Sequence, residues 1–172
     1  MPITIEVRPA RSDDEAAIAA IDASFLVAEE LELSLVGSKL TYSAQPVTPY
    51  RKVYPDPDEQ DAGDVLVALA DGKVVGVICR SENWNRFALI EDLRVDVASR
   101  RAGVGSALIA AAIDWAKSHG LPGVMIETQT NNVSACRLYE KHGFVLSGFD
   151  RSLHRGLDSR SREIALFWYL IF

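Results

Sequence analysis

Arg100-Arg101-Ala102-Gly103-Val104-Gly105-Ser106 is a basic, glycine-containing turn in the middle of a 172-residue chain. The apolar run Phe87 to Val97 before it reads as a strand, and Ser106 to His119 after it reads as a helix. Strand, turn and helix together make an anion site. The first N–H groups of a helix have no carbonyl partner within it, and the helix dipole adds partial positive charge at the same end. Gly103 and Gly105 carry no Cβ, so a ligand can lie close to the backbone. Arg100 and Arg101 add charge beside it. A phosphate or pyrophosphate is the ligand this turn implies. It is not a P-loop, because no Gly-Lys-Ser/Thr follows at the required spacing. It is not a dinucleotide fingerprint either, since two of that pattern's glycines are present and the turn sits mid-chain.

Outward from the turn, the chain reads as one domain over residues 1–172, long enough for a full core. The net charge of −6 argues against a nucleic-acid footprint, which needs a basic face, and suits a cationic partner. Cys79 and Cys136 stand on different elements without a paired motif and read as reduced thiols in a cytoplasmic protein. The N-terminus shows no signal-peptide core and no apolar run reaches membrane-spanning length, so no membrane partner is expected. His119, His142 and His154 have no metal-ligand spacing, so no metal is expected.

Upstream, Ile3 to Val7 alternates as a strand. Ser12 is placed to cap a helix whose buried stripe is Ile18, Ile21, Phe25 and Leu26. Leu31 to Val36 reads as a short strand, and Thr41 to Tyr54, with Pro46 and Pro49, as irregular chain. Tyr54 to Asp64 is an acidic, proline-broken loop, read as a solvated excursion with a polycation-attracting lip as the functional alternative. Val65 to Ala70 and Lys73 to Arg80 flank Asp71-Gly72, a hairpin signal. A turn from Ser81 to Arg86 leads into the Phe87 strand. Downstream, Leu108, Ala111, Ala112 and Trp115 form the packed helix face, and Gly120 with Pro122 ends it. Val124 to Thr128 is a strand, Asn132 to His142 a helix, and Phe144 to Gly148 and Glu163 to Ile171 two last strands. The pattern is α+β, a meander feeding a β-α-β-α-β tail.

The spacing Arg-x-x-Gly-x-Gly resembles the acetyl-CoA pyrophosphate loop of the GNAT acetyltransferase superfamily. A second segment, Asn132-Val-Ser-Ala135-Cys-Arg-Leu138-Tyr139-Glu-Lys-His-Gly143-Phe144, resembles that superfamily's Asn-x-x-Ala-x-x-Leu-Tyr-x-x-x-Gly-Phe motif, one helix and one strand further on. Segments outside the shared motifs, among them Ile21 to Phe25, Val53 to Asp56, Trp84-Asn85-Arg86, Ile90-Glu-Asp92, Glu127 to Ala135 and Glu163 to Tyr169, resemble streptothricin (nourseothricin) acetyltransferases. The resemblance implies a mixed, mostly antiparallel central sheet with a parallel splayed pair flanked by helices. It also implies acetyl-CoA as co-substrate and direct transfer to an amine of the β-lysine arm of a streptothricin-type antibiotic. Another small amine, a protein lysine, or a non-catalytic acyl-CoA sensor are the alternatives, and a two-fold homodimer is the default assembly.

On that resemblance, Leu93 and Val95 offer backbone groups to the pantetheine arm, and Arg100, Arg101, Gly103, Val104, Gly105 and Ser106 hold the pyrophosphate. Tyr139 is the general acid for the thiolate. Asn132 caps its helix and bonds the cofactor, and the small Ala135, one turn before Tyr139, leaves room for the arm. Strict alternation puts Glu91 on the face of Leu93 and Val95 and makes it first choice for general base, with substrate anchor the equal alternative. Asp92, expected on the opposite face, is second choice for base or a binder of substrate ammonium groups. Trp84, Tyr54 and Phe25 are candidate pocket walls. Cys136 reads as a packed small residue, because no histidine is placed to activate it.

Overall fold

A computed structural model describes residues 4–55 and 63–172. The acidic stretch 56–62, on which the lip reading rests, lies outside them, as does Ile3. Among the described residues the chain forms nine strands, three α-helices and short 3-10 turns, mostly antiparallel with one parallel pair. It divides into two compact units, residues 1–25, 53–124 and 172 in one and 26–52 with 125–171 in the other.

The first unit is an antiparallel meander. β1 (Ile5–Pro9) pairs with β4 (Asp64–Ala70), β4 with β5 (Lys73–Glu82), and β5 with β6 (Ala88–Val95). The β4–β5 hairpin turns on Asp71 and Gly72, both at positive φ (50° and 77°), as a two-residue turn matched to strand twist requires. α2 (Val104–Ser118) packs on the meander and buries Val104, Leu108, Ile109, Ala112 and Ala116. On the other face Val67, Leu69 and Val77 form a core with Ile18 and Ile21 around α1 (Glu15–Ala19).

The helix expected from Ser12 is shorter than its apolar spacing predicts, and Ser12 does not cap it: Arg11 is the N-cap of the opening turn, and Asp14 accepts from the Arg11 amide. A 3-10 turn, Ser12–Asp14, precedes five α-helical residues, and Phe25 and Leu26 open a strand. Arg8 donates two hydrogen bonds to Asp14 (2.6 and 2.9 Å) and holds its carboxyl down at about 2. The first helical turn is thus tied to β1.

Gly76 sets how closely α2 approaches. A Cβ there would lie 2.9 Å from Val104 Cγ1 and 3.1 Å from Leu108 Cδ1 and from the Arg94 carbonyl oxygen. Gly76→Ala is therefore expected to destabilise the fold by about 1–3 kcal/mol through overpacking, read as a lower urea midpoint.

The second unit holds a two-stranded sheet of β2 (Phe25–Val36) and β3 (Lys39–Lys52), turning at Gly37. This overturns the irregular reading of Thr41 to Tyr54. Among the described residues β3 has β2 as its one sheet neighbour, so Pro46 and Pro49 need not donate on its other side. β7 (Gly123–Gln129), in this unit from Met125 on, leads to α3 (Val133–Lys141), and β8 (Val145–Asp150) pairs antiparallel with β9 (Ala165–Ile171). Trp168, fully buried, packs its ring against Tyr42 and Tyr139.

Candidate active site

In the first unit the site residues lie on β6 and the turn after it. Ile90 pairs with Arg80 and Asp92 with Cys79, so Glu91 is an extra residue, a β-bulge. The bulge resets the alternation. Leu93 and Val95 pair with Ile78 and Gly76, on the face that meets α2. Asp92 and Arg94 pair with Cys79 and Val77, on the opposite face, and Ser81 Oγ donates to Glu91 there. Glu91 therefore shares a face with Asp92 and not with Leu93 and Val95, contrary to strict alternation. The Cys79 thiol registers both carboxylates: burial pushes it up first, and the charges of Glu91 and Asp92 push it further. Glu91 is exposed, while Asp92 is half-buried and paired with Arg94 Nε at 2.8 Å.

The turn beyond β6 is braced from within. Asp96 accepts from the Ala98 and Asp22 amides, and the Val97 amide donates to the Asp22 carbonyl. Arg100 donates from Nε to the Val95 carbonyl (3.1 Å) and from a terminal nitrogen to the Ser24 carbonyl (2.7 Å). Its guanidinium is thus a strut for the loop, and burial pulls it below its usual pKa. Arg101, exposed and at φ +64°, and Gly103, at φ +91°, bend the backbone into the start of α2. The helix begins at Val104, two residues before the expected Ser106, and Val104 points into the core at 1% exposure. What this end offers a ligand is backbone N–H from residues 104–106, the side chain of Arg101 and the absence of a side chain at Gly103. Trp84 stands 90% exposed at the tip of the β5–β6 turn, and Phe25 and Tyr54 stack on each other at 6.0 Å.

In the second unit, Asn132 caps α3 by accepting from the Ala135 amide at 3.3 Å. Tyr139 is 5% exposed, with its ring against Phe144 and Trp168. Cys136 on the same helix is buried, and burial pushes its thiol up to about 12, which fits a packing residue and not a nucleophile.

Two polar groups here were assigned no role from sequence. Glu127 on β7 is half-buried, its carboxylate 3.2 Å from His154 Nε2. Burial pushes its carboxyl above the ordinary glutamate range, and His154 opposes that shift. Asn131, 3% exposed, donates to Glu163, which also meets Lys52. Glu127 and Asn131 both lie in the segment Glu127 to Ala135, but the depth of a residue on a strand is set by chain distant in sequence.

A model of the Acetyltransferase (GNAT) family matches residues 28–144, which include every site residue above from Trp84 to Tyr139. The chain belongs to the GNAT acetyltransferase family. The acetyltransferase is 39% identical over 146 residues to the streptothricin acetyltransferase of Escherichia coli, covering 84% of each chain. It is 39% identical over 130 residues to streptothricin acetyltransferase A of Bacillus subtilis, covering 72% of this chain and 75% of that one. Among solved structures, a Bacillus anthracis streptothricin acetyltransferase candidate in complex with acetyl coenzyme A superposes with a TM-score of 0.90 at 40% identity, over 98% of this chain and 100% of that one. The expected α+β fold of this family is thereby confirmed. Among the described residues no cluster of side chains is arranged to hold a metal ion, and no helix is long and apolar enough to cross a membrane.

Proposed function

We propose that this enzyme transfers the acetyl group of acetyl-CoA to an amine on the β-lysine arm of a streptothricin-type antibiotic, in the cytoplasm, and so gives resistance. The observation that carries the reading is the likeness to the streptothricin acetyltransferase of Escherichia coli over 84% of both chains, well beyond the shared cofactor motifs. The chain acts as one acetyltransferase domain, with a two-fold dimer as its default assembly.

The bound thioester supplies the acetyl group, and the chain's own residues supply binding and proton transfer. The N–H groups at the start of α2 and the Arg101 side chain meet the pyrophosphate, with Ser106 in the same turn. Leu93 and Val95 present strand backbone to the arm, and Ala135 keeps α3 narrow one turn before Tyr139. Asn132 holds the helix that carries Tyr139. A lysine-type ammonium titrates near pH 10 and must lose a proton before it can attack. Glu91 and Glu127 are the two carboxylates suited to take it. Glu127 is favoured, because a half-buried carboxyl with a raised pKa is the better proton acceptor at neutral pH. Glu91 and Asp92, side by side on one face of β6, then act as anchors for the remaining ammonium groups, with Trp84 as a candidate wall for the acceptor. Tyr139 returns a proton to the leaving thiolate. No covalent enzyme intermediate is involved.

Thiol release from acetyl-CoA tests the reading, with streptothricin, spermidine, lysine and an aminoglycoside as parallel acceptors. Preferred turnover of streptothricin, with an acetyl mass increment on its β-lysine arm, is expected. Preference for another amine would discard the antibiotic, and no turnover despite acetyl-CoA binding would leave an acyl-CoA sensor. Gly103→Ala is expected to raise KM for acetyl-CoA about tenfold with kcat little changed, because an L-residue at φ +91° costs roughly 1–2 kcal/mol and the loop relaxes away from its binding geometry. Initial-rate kinetics at fixed acceptor check it.

A further inference from the structure

Four arginines gather in the connection between β8 and β9. Arg151, Arg155, Arg160 and Arg162, all exposed, line one open concavity of about 560 Å³ together with Ser159, Ser161 and Ile164, and among the described residues no carboxylate takes part in that lining. Arg160 meets Asp158 at 3.5 Å, both side chains largely exposed, a pair of little energetic weight. Among the described residues Arg151, Arg155 and Arg162 form no ion pair. The chain as a whole is acidic: its net charge is −6, so with +4 gathered here the rest sums to −10.

Guanidinium groups crowded around one concavity repel each other and add nothing to folding unless an anion joins them. Arginine's planar fork matches phosphate and carboxylate oxygens two at a time, and serine hydroxyls add further donors. A polycationic acceptor amine is repelled by this lining, so the cavity serves a different molecule.

We propose that this cavity binds a small polyanion carrying two or more phosphate or carboxylate groups, gripped by Arg151, Arg155 and Arg162 and by the hydroxyls of Ser159 and Ser161. The test is calorimetric titration of the full chain with pyrophosphate and, in parallel, citrate, at low salt, each without and with saturating acetyl-CoA. Saturable one-to-one binding is expected for at least one of them. Tighter pyrophosphate binding marks a phosphorylated ligand, and tighter citrate binding a polycarboxylate. Arg155→Ser combined with Arg162→Ser is expected to weaken that binding tenfold or more, while the melting temperature and the KM for acetyl-CoA stay at their wild-type values. The proposal fails if neither anion binds, if the double variant binds as well as the wild type, or if acetyl-CoA abolishes the binding, which would trace the heat to the cofactor's own phosphate site. None of these readouts depends on which amine is acetylated.

Discussion

Tyr139→Phe is expected to lower kcat roughly 10²- to 10³-fold, the range that loss of a positioned general acid produces, and to leave the melting temperature almost unchanged. The phenylalanine keeps the ring that packs against Phe144 and Trp168, and removes the hydroxyl alone. KM for acetyl-CoA should move little, since the ring still fills its place on α3. A leaving group of lower pKa than CoA makes the measurement sharper. With an activated thioester donor the variant should recover most of its rate, because a good leaving group needs no proton. Equal losses with both donors would assign the hydroxyl to positioning. A loss below threefold would make Tyr139 a packing residue of the α3 core.

Much of this site is legible in the sequence where a local backbone requirement shows through. Gly103 at φ +91° and the Asp71-Gly72 turn at +50° and +77° are positions where residue type follows from conformation, and both turns were readable. Asn132, one residue ahead of a helix, was readable as a cap for the same reason. The β2–β3 hairpin was not. Its prolines argue for irregular chain, and they are tolerated because β3 has, among the described residues, a partner on one side alone, a fact of tertiary arrangement. The orientation of Glu91 was misread because period-two alternation assumes an uninterrupted ladder, and the extra residue at the bulge puts it beside Asp92. Arg100 looked like a phosphate ligand from its place in the motif. Its bonds to the Val95 and Ser24 carbonyls make it a brace for the loop that Arg101 and Gly103 shape. The depth of Glu127 is the clearest case: nothing local distinguishes it from an exposed strand glutamate. His154 lies 27 positions away, on a short 3-10 turn between β8 and β9.

Glu127→Gln is expected to lower kcat/KM by roughly 10²- to 10⁴-fold and to remove the acidic limb of its pH profile, as loss of a general base does. Glu91→Gln is expected to raise KM for the acceptor several-fold with that limb intact. The wild-type limb should fall above the ordinary glutamate range, since burial raises the Glu127 carboxyl and Asp150 raises it further, against the lowering influence of His154 and Gln129. His154→Gln removes one of the opposing influences and should move the limb upward. Stability supplies an independent readout. A carboxyl whose pKa is raised in the fold contributes most favourably when protonated, below its unfolded value, and that contribution is lost as pH rises through the folded value. Glutamine stays neutral throughout. Glu127→Gln should therefore melt higher than the wild type at neutral pH, with the difference shrinking toward pH 4. A variant that is both inactive and more stable is the signature of a carboxylate kept for chemistry at a cost to the fold. If Glu127→Gln keeps its activity and Glu91→Gln loses the acidic limb, the base is Glu91, and the Glu127–His154 pair is a structural contact of the second unit.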